Sequence, residues 1–221
     1  MRLELTLVLF LGLLTGCGSP SSSSSQGAPA AAPNPAAALV GGPAEGVQVG
    51  GRYWTRTNLR IVKNGWFTEE SYLSGEILPM GVPVTLVETA KSDTRWHIRT
   101  DDGREFWIQV GQKGTYRQPD QEIQKFLAVQ DPKAGFDAGS GEVAEAIRAG
   151  RPVAGMTRAQ ALAALGFPPN ISDPATAGLW KYPQLNHGWR GSGWSRIANY
   201  HHVSLDFKGD VVERVMGFEE D

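Results

Sequence analysis

The sequence predicts a mixed fold: a small all-β barrel followed by an α+β domain, in which two helices pack on a three-stranded antiparallel sheet. Three observations lead there. Over residues 47–118 apolar and polar residues alternate between recurrent turn signals, as in half-buried strands. From Ser140 onward two helical stretches follow, each with its own start and stop. After them come strand candidates only, and helices grouped before strands make an α+β arrangement.

In the first half, residues 52–57 and 59–63 are short strand candidates, and Asn64-Gly65 is a strong turn signal ahead of Trp66-Phe67. Val82, Val84 and Leu86 alternate with Pro83 and Thr85, and Trp96 and Ile98 alternate with His97 and Arg99. Asp101-Asp102-Gly103 then turns the chain into Phe106, Ile108 and Val110, which reads as a hairpin. Five or so short strands in about seventy residues suggest a small barrel. Tyr53, Trp54, Trp66 and Trp107 either line a peptide groove or fill a core too small to close with aliphatic side chains.

This order of pieces resembles a bacterial SH3-like domain. The matching features are Asn58-Leu59-Arg60 with the Asn64-Gly65 turn, Leu78-Pro79-Met80-Gly81 leading into residues 82–87, and the Asp102-Gly103 hairpin. The resemblance implies an SH3-like barrel over 47–118. Related modules bind cell-wall peptides or protein segments.

In residues 119–221, Ile123, Phe126 and Leu127 stand at helical spacing and predict a short linking helix over 120–129. Ser140 is placed to N-cap a helix running through Ala149, with Val143 and Ile147 one turn apart and Gly150 ending it. Thr157 and Gln160 are spaced for a capping box. Leu162 and Leu165 share a face, Gly166 closes the helix, and Pro168-Pro169 prevents its continuation. Residues 179–182, 200–207 and 211–216 are strand candidates, the last two joined by a turn at Lys208-Gly209-Asp210. On the middle strand His201, Val203, Leu205 and Phe207 share one face, and His202, Ser204 and Asp206 the other.

A second resemblance rests on Gly155-Met156-Thr157-Arg158, Ala164-Leu165-Gly166-Phe167-Pro168, Trp180-Lys181-Tyr182, Val203-Ser204-Leu205-Asp206-Phe207 and residues 211–215. Together they resemble the SmpA/OmlA (BamE-like) domain over about residues 141–217. The resemblance implies a small outer-membrane lipoprotein that accompanies the machinery folding β-barrels into the outer membrane. Two features depart from it: the SH3-like stretch ahead of it, and a loop at 183–199 that is longer and carries two tryptophans.

The N-terminus points to the same compartment. Residues 5–14 are an apolar run about half as long as the ~20 residues a bilayer-spanning helix needs. Small residues and the only cysteine of the chain follow, as at a secretory cleavage point. Leu14-Thr15-Gly16-Cys17 resembles the bacterial lipobox. It implies cleavage between Gly16 and Cys17 and a diacylglyceryl thioether on Cys17, whose thiolate is the nucleophile. Gly18, where an aspartate would retain the protein at the inner membrane, implies sorting to the outer membrane, lipid-anchored and facing the periplasm. Residues 1–16 are then signal peptide. Residues 17–46, rich in Ser, Pro and Ala, are too poor in apolar side chains to fold and form a tether reaching roughly 30 Å.

Composition narrows the chemistry. The net charge is −2 without a basic stripe, which argues against nucleic acid as a partner. Once Cys17 is acylated, no thiol remains for a disulfide, a metal or catalysis. His202, Ser204 and Asp206 are the residue types of a catalytic triad. At i, i+2 and i+4 on one strand, however, neighbours stand about 6.6–7 Å apart, and a nucleophile and its base need ~3 Å. His201 and His202 point to opposite faces and cannot share an ion.

No enzyme, no metal and no cofactor beyond the lipid on Cys17 are expected. In the loop at 188–194, Trp189, Arg190 and Trp194 are candidate interaction residues, because Trp and Arg dominate binding hot spots. The alternative is that the two tryptophans form a lid on the core. The expected function is that of an interaction or scaffold module in the cell envelope, held to the membrane by its lipid. Its expected partners are envelope proteins, among them the outer-membrane β-barrel assembly machinery. The alternative is a lipoprotein that binds peptidoglycan through the SH3-like stretch.

Overall fold

Alternating apolar and polar residues make the first half of the chain strand, and each strand buries one side. The computed structural model describes residues 46–62, 65–68, 72–73, 75–90, 95–109, 122–169, 171, 173–185 and 200–218. Strands β1 (Arg52–Thr55), β2 (Leu59–Ile61), β3 (Trp66–Thr68), β4 (Glu76–Leu78), β5 (Pro83–Thr89), β6 (Arg95–Thr100) and β7 (Glu105–Gln109) follow in order. The meander β5-β6-β7 forms where alternation predicts it, with Val84, Leu86, Trp96, Ile98, Phe106 and Ile108 buried. Its second turn carries Gly103 at φ 85°, a left-handed conformation that glycine adopts without steric cost.

The expected architecture, a small barrel followed by two helices on a sheet, is not what forms. The structure is mostly β, and its largest element is a six-stranded sheet of order β3-β7-β6-β5-β1-β8, with β2 and β4 making a separate two-stranded sheet. Two pairings produce this. Strand β3 runs parallel to β7, matching Trp66 with Trp107 and Phe67 with Ile108. Strand β8 (Leu127–Ala128) adds to the far side of β1, matching Thr55 with Leu127.

Strand β8 also replaces part of the linking helix expected over 120–129. Within the described part of that stretch, Lys125 N–H donates to Glu122 O and Phe126 N–H to Ile123 O, each at 3.0 Å, a single tight turn before the strand. Ile123, Phe126 and Leu127 are all buried. Their helical spacing serves a turn that hands Leu127 to a sheet edge, and tertiary pairing overrides the local pattern.

The helices also sit differently. Helix α1 (Gly141–Arg148) follows Ser140, which occupies the N-cap position without a side-chain cap bond, and Gly150 at φ 59° ends it. Helix α2 (Arg158–Leu165) begins in the expected capping box: Gln160 N–H donates to Thr157 Oγ1 at 3.2 Å, and Thr157 N–H to Gln160 Oε1 at 2.9 Å. Seven residues of α2 are buried, from Arg158 and Gln160 through Leu165, so the helix has no solvated face. Four alanines in eight residues keep it slim enough to be approached from several sides.

From one side comes the β1–β2 corner. Asn58 N–H donates to Ala163 O at 2.9 Å and Asn58 Nδ2 to Ile147 O at 2.6 Å. Met80 N–H donates back to Asn58 Oδ1 at 2.9 Å. Arg60 Nη2 reaches Ala149 O at 2.7 Å and Gly150 O at 3.1 Å, a cation on the carbonyl end of α1. Tyr72 donates its hydroxyl to Phe167 O at 2.7 Å. One buried cluster therefore runs from Tyr53 to Val212 through both helices.

The last sheet matches expectation in its strands: β9 (Leu179–Leu185), β10 (Tyr200–Lys208) and β11 (Val211–Met216) pair antiparallel in the order β11-β10-β9. Gly209 turns β10 into β11 at φ 61°. Val203, Leu205 and Phe207 are buried with Trp180 and Tyr182. Arg158 lies beneath that turn, 4.2 Å over the Phe207 ring, and donates to Pro174 O, Ala177 O and Gly209 O.

Trp180 packs 4.5 Å from Phe207, and its buried indole N–H meets no hydrogen-bond acceptor among the described residues. An unpaired buried donor costs about 1–3 kcal/mol. Trp180→Phe is therefore expected to leave stability within about 1.5 kcal/mol of wild type, since relief of the donor offsets the smaller ring. Trp180→Ala should lose about 3–5 kcal/mol. Urea melts of both variants check this, and equal losses would remove the argument.

Candidate functional site

On β3, β6 and β7, the residues that alternate with the buried ones face away from the core. They are Trp66 and Thr68; Arg95, His97 and Arg99; and Glu105, Trp107 and Gln109. The sheet register brings three of them into a row, and the Arg95 side chain joins at its end. Trp66 pairs with Trp107 across the parallel β3–β7 junction, and Trp107 pairs with His97 across β7–β6. The two indoles stack at 5.5 Å and 17°, and the His97 imidazole lies on the other face of Trp107 at 4.6 Å and 5°. The Arg95 guanidinium sits 5.3 Å over Trp66.

Charges fix the flank of this row. His97 Nε2 is 3.3 Å from Glu105 Oε2, and Arg99 Nε donates to Glu105 Oε1 at 2.8 Å. The Arg99 hydrogen bond is the main reason the Glu105 carboxyl is held below the usual glutamate range. Desolvation opposes this, and the Arg99 and His97 charges add to it. At the β6–β7 turn, Asp102 is likewise held low, first by the Thr100 hydroxyl and then, against some desolvation, by Arg104. Arg104 also pairs with Glu76 at 3.2 Å, and Arg52 with Asp101 at 2.6 Å. Arg95 has no carboxylate partner among the described residues; its contact is the Trp66 ring.

Such a row offers a surface that can bind. Both faces of Trp107 are taken and Arg95 covers Trp66, so what remains is a half-exposed flank of large, rigid side chains. Rigid aromatics with an arginine are the composition of protein-binding hot spots, and holding them in place beforehand lowers the entropic cost of association.

The aromatic residues singled out in the sequence divide. Tyr53 is core: it is buried, and its hydroxyl accepts from Gln48 N–H at 2.8 Å. Trp54 is half-buried on β1 opposite Pro83 and Ala128, separate from the row. Only Trp66 and Trp107 come together, and they neither fill the core nor line a groove with the other two. Sequence reasoning missed His97 and Arg95 as members. The available signal was that both stand at outward positions of the strand beside Trp107.

Trp189, Arg190 and Trp194 lie outside the described residues, as do Gly16 and Cys17. On β10, His202 is exposed and Asp206 pairs with Arg214 at 2.9 Å. Among the described residues, no three of His, Cys, Asp and Glu gather as a metal site would need, and no helix is long and apolar enough to cross a membrane. No family model, no curated protein and no solved structure matches this chain.

Proposed function

We propose that this chain is an outer-membrane lipoprotein, anchored through a lipid on Cys17, that works by binding another envelope protein rather than by chemistry. The observation that carries the binding reading is the Arg95-Trp66-Trp107-His97 row on the outer face of the six-stranded sheet. It concentrates large aromatic residues and an arginine where the core does not need them. Because its ring faces are already stacked on one another, it suits a protein surface better than a sugar, which would need an open face. The anchor reading is supported by the Leu14-Thr15-Gly16-Cys17 stretch behind a short apolar run. The SmpA/OmlA resemblance of residues 141–217 makes the β-barrel assembly machinery the first partner to test.

The test is capture of the full-length chain from detergent-solubilised membranes, with co-purifying proteins identified by mass spectrometry and palmitate incorporation followed in parallel. Cys17→Ser is expected to abolish palmitate incorporation. Trp66→Ala with Trp107→Ala should deplete barrel-assembly components at least tenfold while leaving the lipid in place. Palmitate labelling that survives Cys17→Ser sinks the anchor. Capture indifferent to both tryptophans sinks the binding face.

A further inference from the structure

We propose that His97 makes this outer face sensitive to protons. Histidine is the side chain whose ordinary titration falls between about pH 5 and 8. His97 stands where a change of its charge has mechanical consequences. Its ring lies flat on Trp107 at 4.6 Å and 5°, and its Nε2 is 3.3 Å from Glu105 Oε2. The side chain is 14% exposed, so solvent can reach it without washing out its contacts.

Among the described residues, the charged groups around it are few. Strand β7 contributes Glu105, strand β5 contributes Glu88 as its cross-strand partner, and its own strand contributes Arg95 and Arg99 on the same face. Strand β3 contributes the uncharged Trp66, one ring further along the stack. Arg99 is already engaged by the other oxygen of Glu105, and Arg95 rests over Trp66. The contacts left to an imidazolium are therefore Glu105 and the π face of Trp107, with Glu88 as the cross-strand neighbour.

In the protonated form the ring is at once an ion-pair partner of Glu105 and a cation on an indole face, and both attractions press on the same side of Trp107. In the neutral form the charge is gone, and what remains is the stacking contact and the weaker hydrogen bond a neutral ring N–H gives Glu105. Trp107 is in turn the support of Trp66. Proton uptake at one ring thus tightens the whole row and adds a positive charge to it, and proton loss slackens it. A protein docking on the flank of the row would meet a firm, more positive face at the acid end of the interval and a looser one at the alkaline end. That use of the proton rests on the binding reading above; the effect on the row does not.

Near-ultraviolet circular dichroism of the full-length chain in detergent, from pH 5 to 8, reads it without any partner. Two stacked indoles give a coupled signal, which Trp66→Phe identifies by its loss. The expected result is a coupled signal that grows as pH falls through the interval. His97→Gln should remove the pH dependence. His97→Phe, which keeps a stacking ring but binds no proton, should hold the signal at one level throughout. His202→Gln, on the other sheet, should leave the transition as in wild type. A wild-type signal that is flat from pH 5 to 8 overturns the proposal, and so does a transition that survives both His97 variants. A normal transition combined with failed capture would remove the binding reading alone; successful capture with a flat signal would remove the proton effect alone.

Discussion

Residues 46–118 expressed alone are expected to show no cooperative unfolding transition, although they contain β1 through β7. What they lack is the material that closes their core. Strand β8 leaves the edge of β1, and Phe126, 5.1 Å from Phe67, goes with it. Arg56, whose backbone N–H and Nη1 donate to Phe126 O and Gln124 O, loses both acceptors. Its guanidinium is buried deeply enough to bring its pKa down to about 10, and an arginine is worth burying only where carbonyls receive it.

The same cut exposes Leu59, Phe67 and Tyr72, which are at most 2% exposed in the whole chain. Each such side chain contributes about 1.5–3 kcal/mol through burial. Together with the lost hydrogen bonds, that approaches the entire stability of an ordinary domain, about 5–15 kcal/mol. Far-UV circular dichroism and urea titration of residues 46–118 against residues 46–221 decide the matter. A sharp transition in the short chain would show that its strands close a core by themselves.

Asn58→Ala is expected to cost about 2–6 kcal/mol, far more than a polar residue in a corner usually does. The side chain sits at 6% exposure between three segments. Its removal leaves Met80 N–H and Ile147 O without their partner, and each buried group so stranded costs about 1–3 kcal/mol. Asn58→Asp keeps the acceptor for Met80 but turns a charge toward the Ile147 carbonyl, and should be at least as damaging. By contrast Arg99→Ala, which breaks a half-exposed, solvent-screened pair with Glu105, should move the urea midpoint far less. The measurement is the urea midpoint at unchanged slope. A loss below 1 kcal/mol for Asn58→Ala would mean that the segments it joins hold together by other means.

The features legible in the sequence are those whose causes lie within a few residues. The Thr157–Gln160 capping box spans one helical turn, the Gly103 and Gly209 turns follow from their own backbone freedom, and the alternation in β5, β6 and β10 reports its own burial. The misread parts depend on distant residues. Nothing near Ile123, Phe126 and Leu127 tells a helical stripe from a turn delivering a strand to β1, because the deciding partner is Thr55. Nothing near Trp66 announces a parallel neighbour at Trp107, so the aromatic row is not legible from the surroundings of either residue. Asn58 and Arg60 stand among the residues that resemble an SH3-like domain, and their acceptors lie at the carbonyl end of α1, about ninety positions away.

That separation has a kinetic side. Asn58 meets Ile147 across 89 positions and Tyr72 meets Phe167 across 95. A chain that emerges N-terminus first therefore presents its early strands long before their closing partners exist. Loops of that length are slow to close, and folds dominated by such contacts are slow folders. For this molecule the waiting time falls on β1 through β7, whose Phe67 and Leu59 are then uncovered. Whatever machinery handles the newly made chain must shield β1 through β7 until the last helix has arrived.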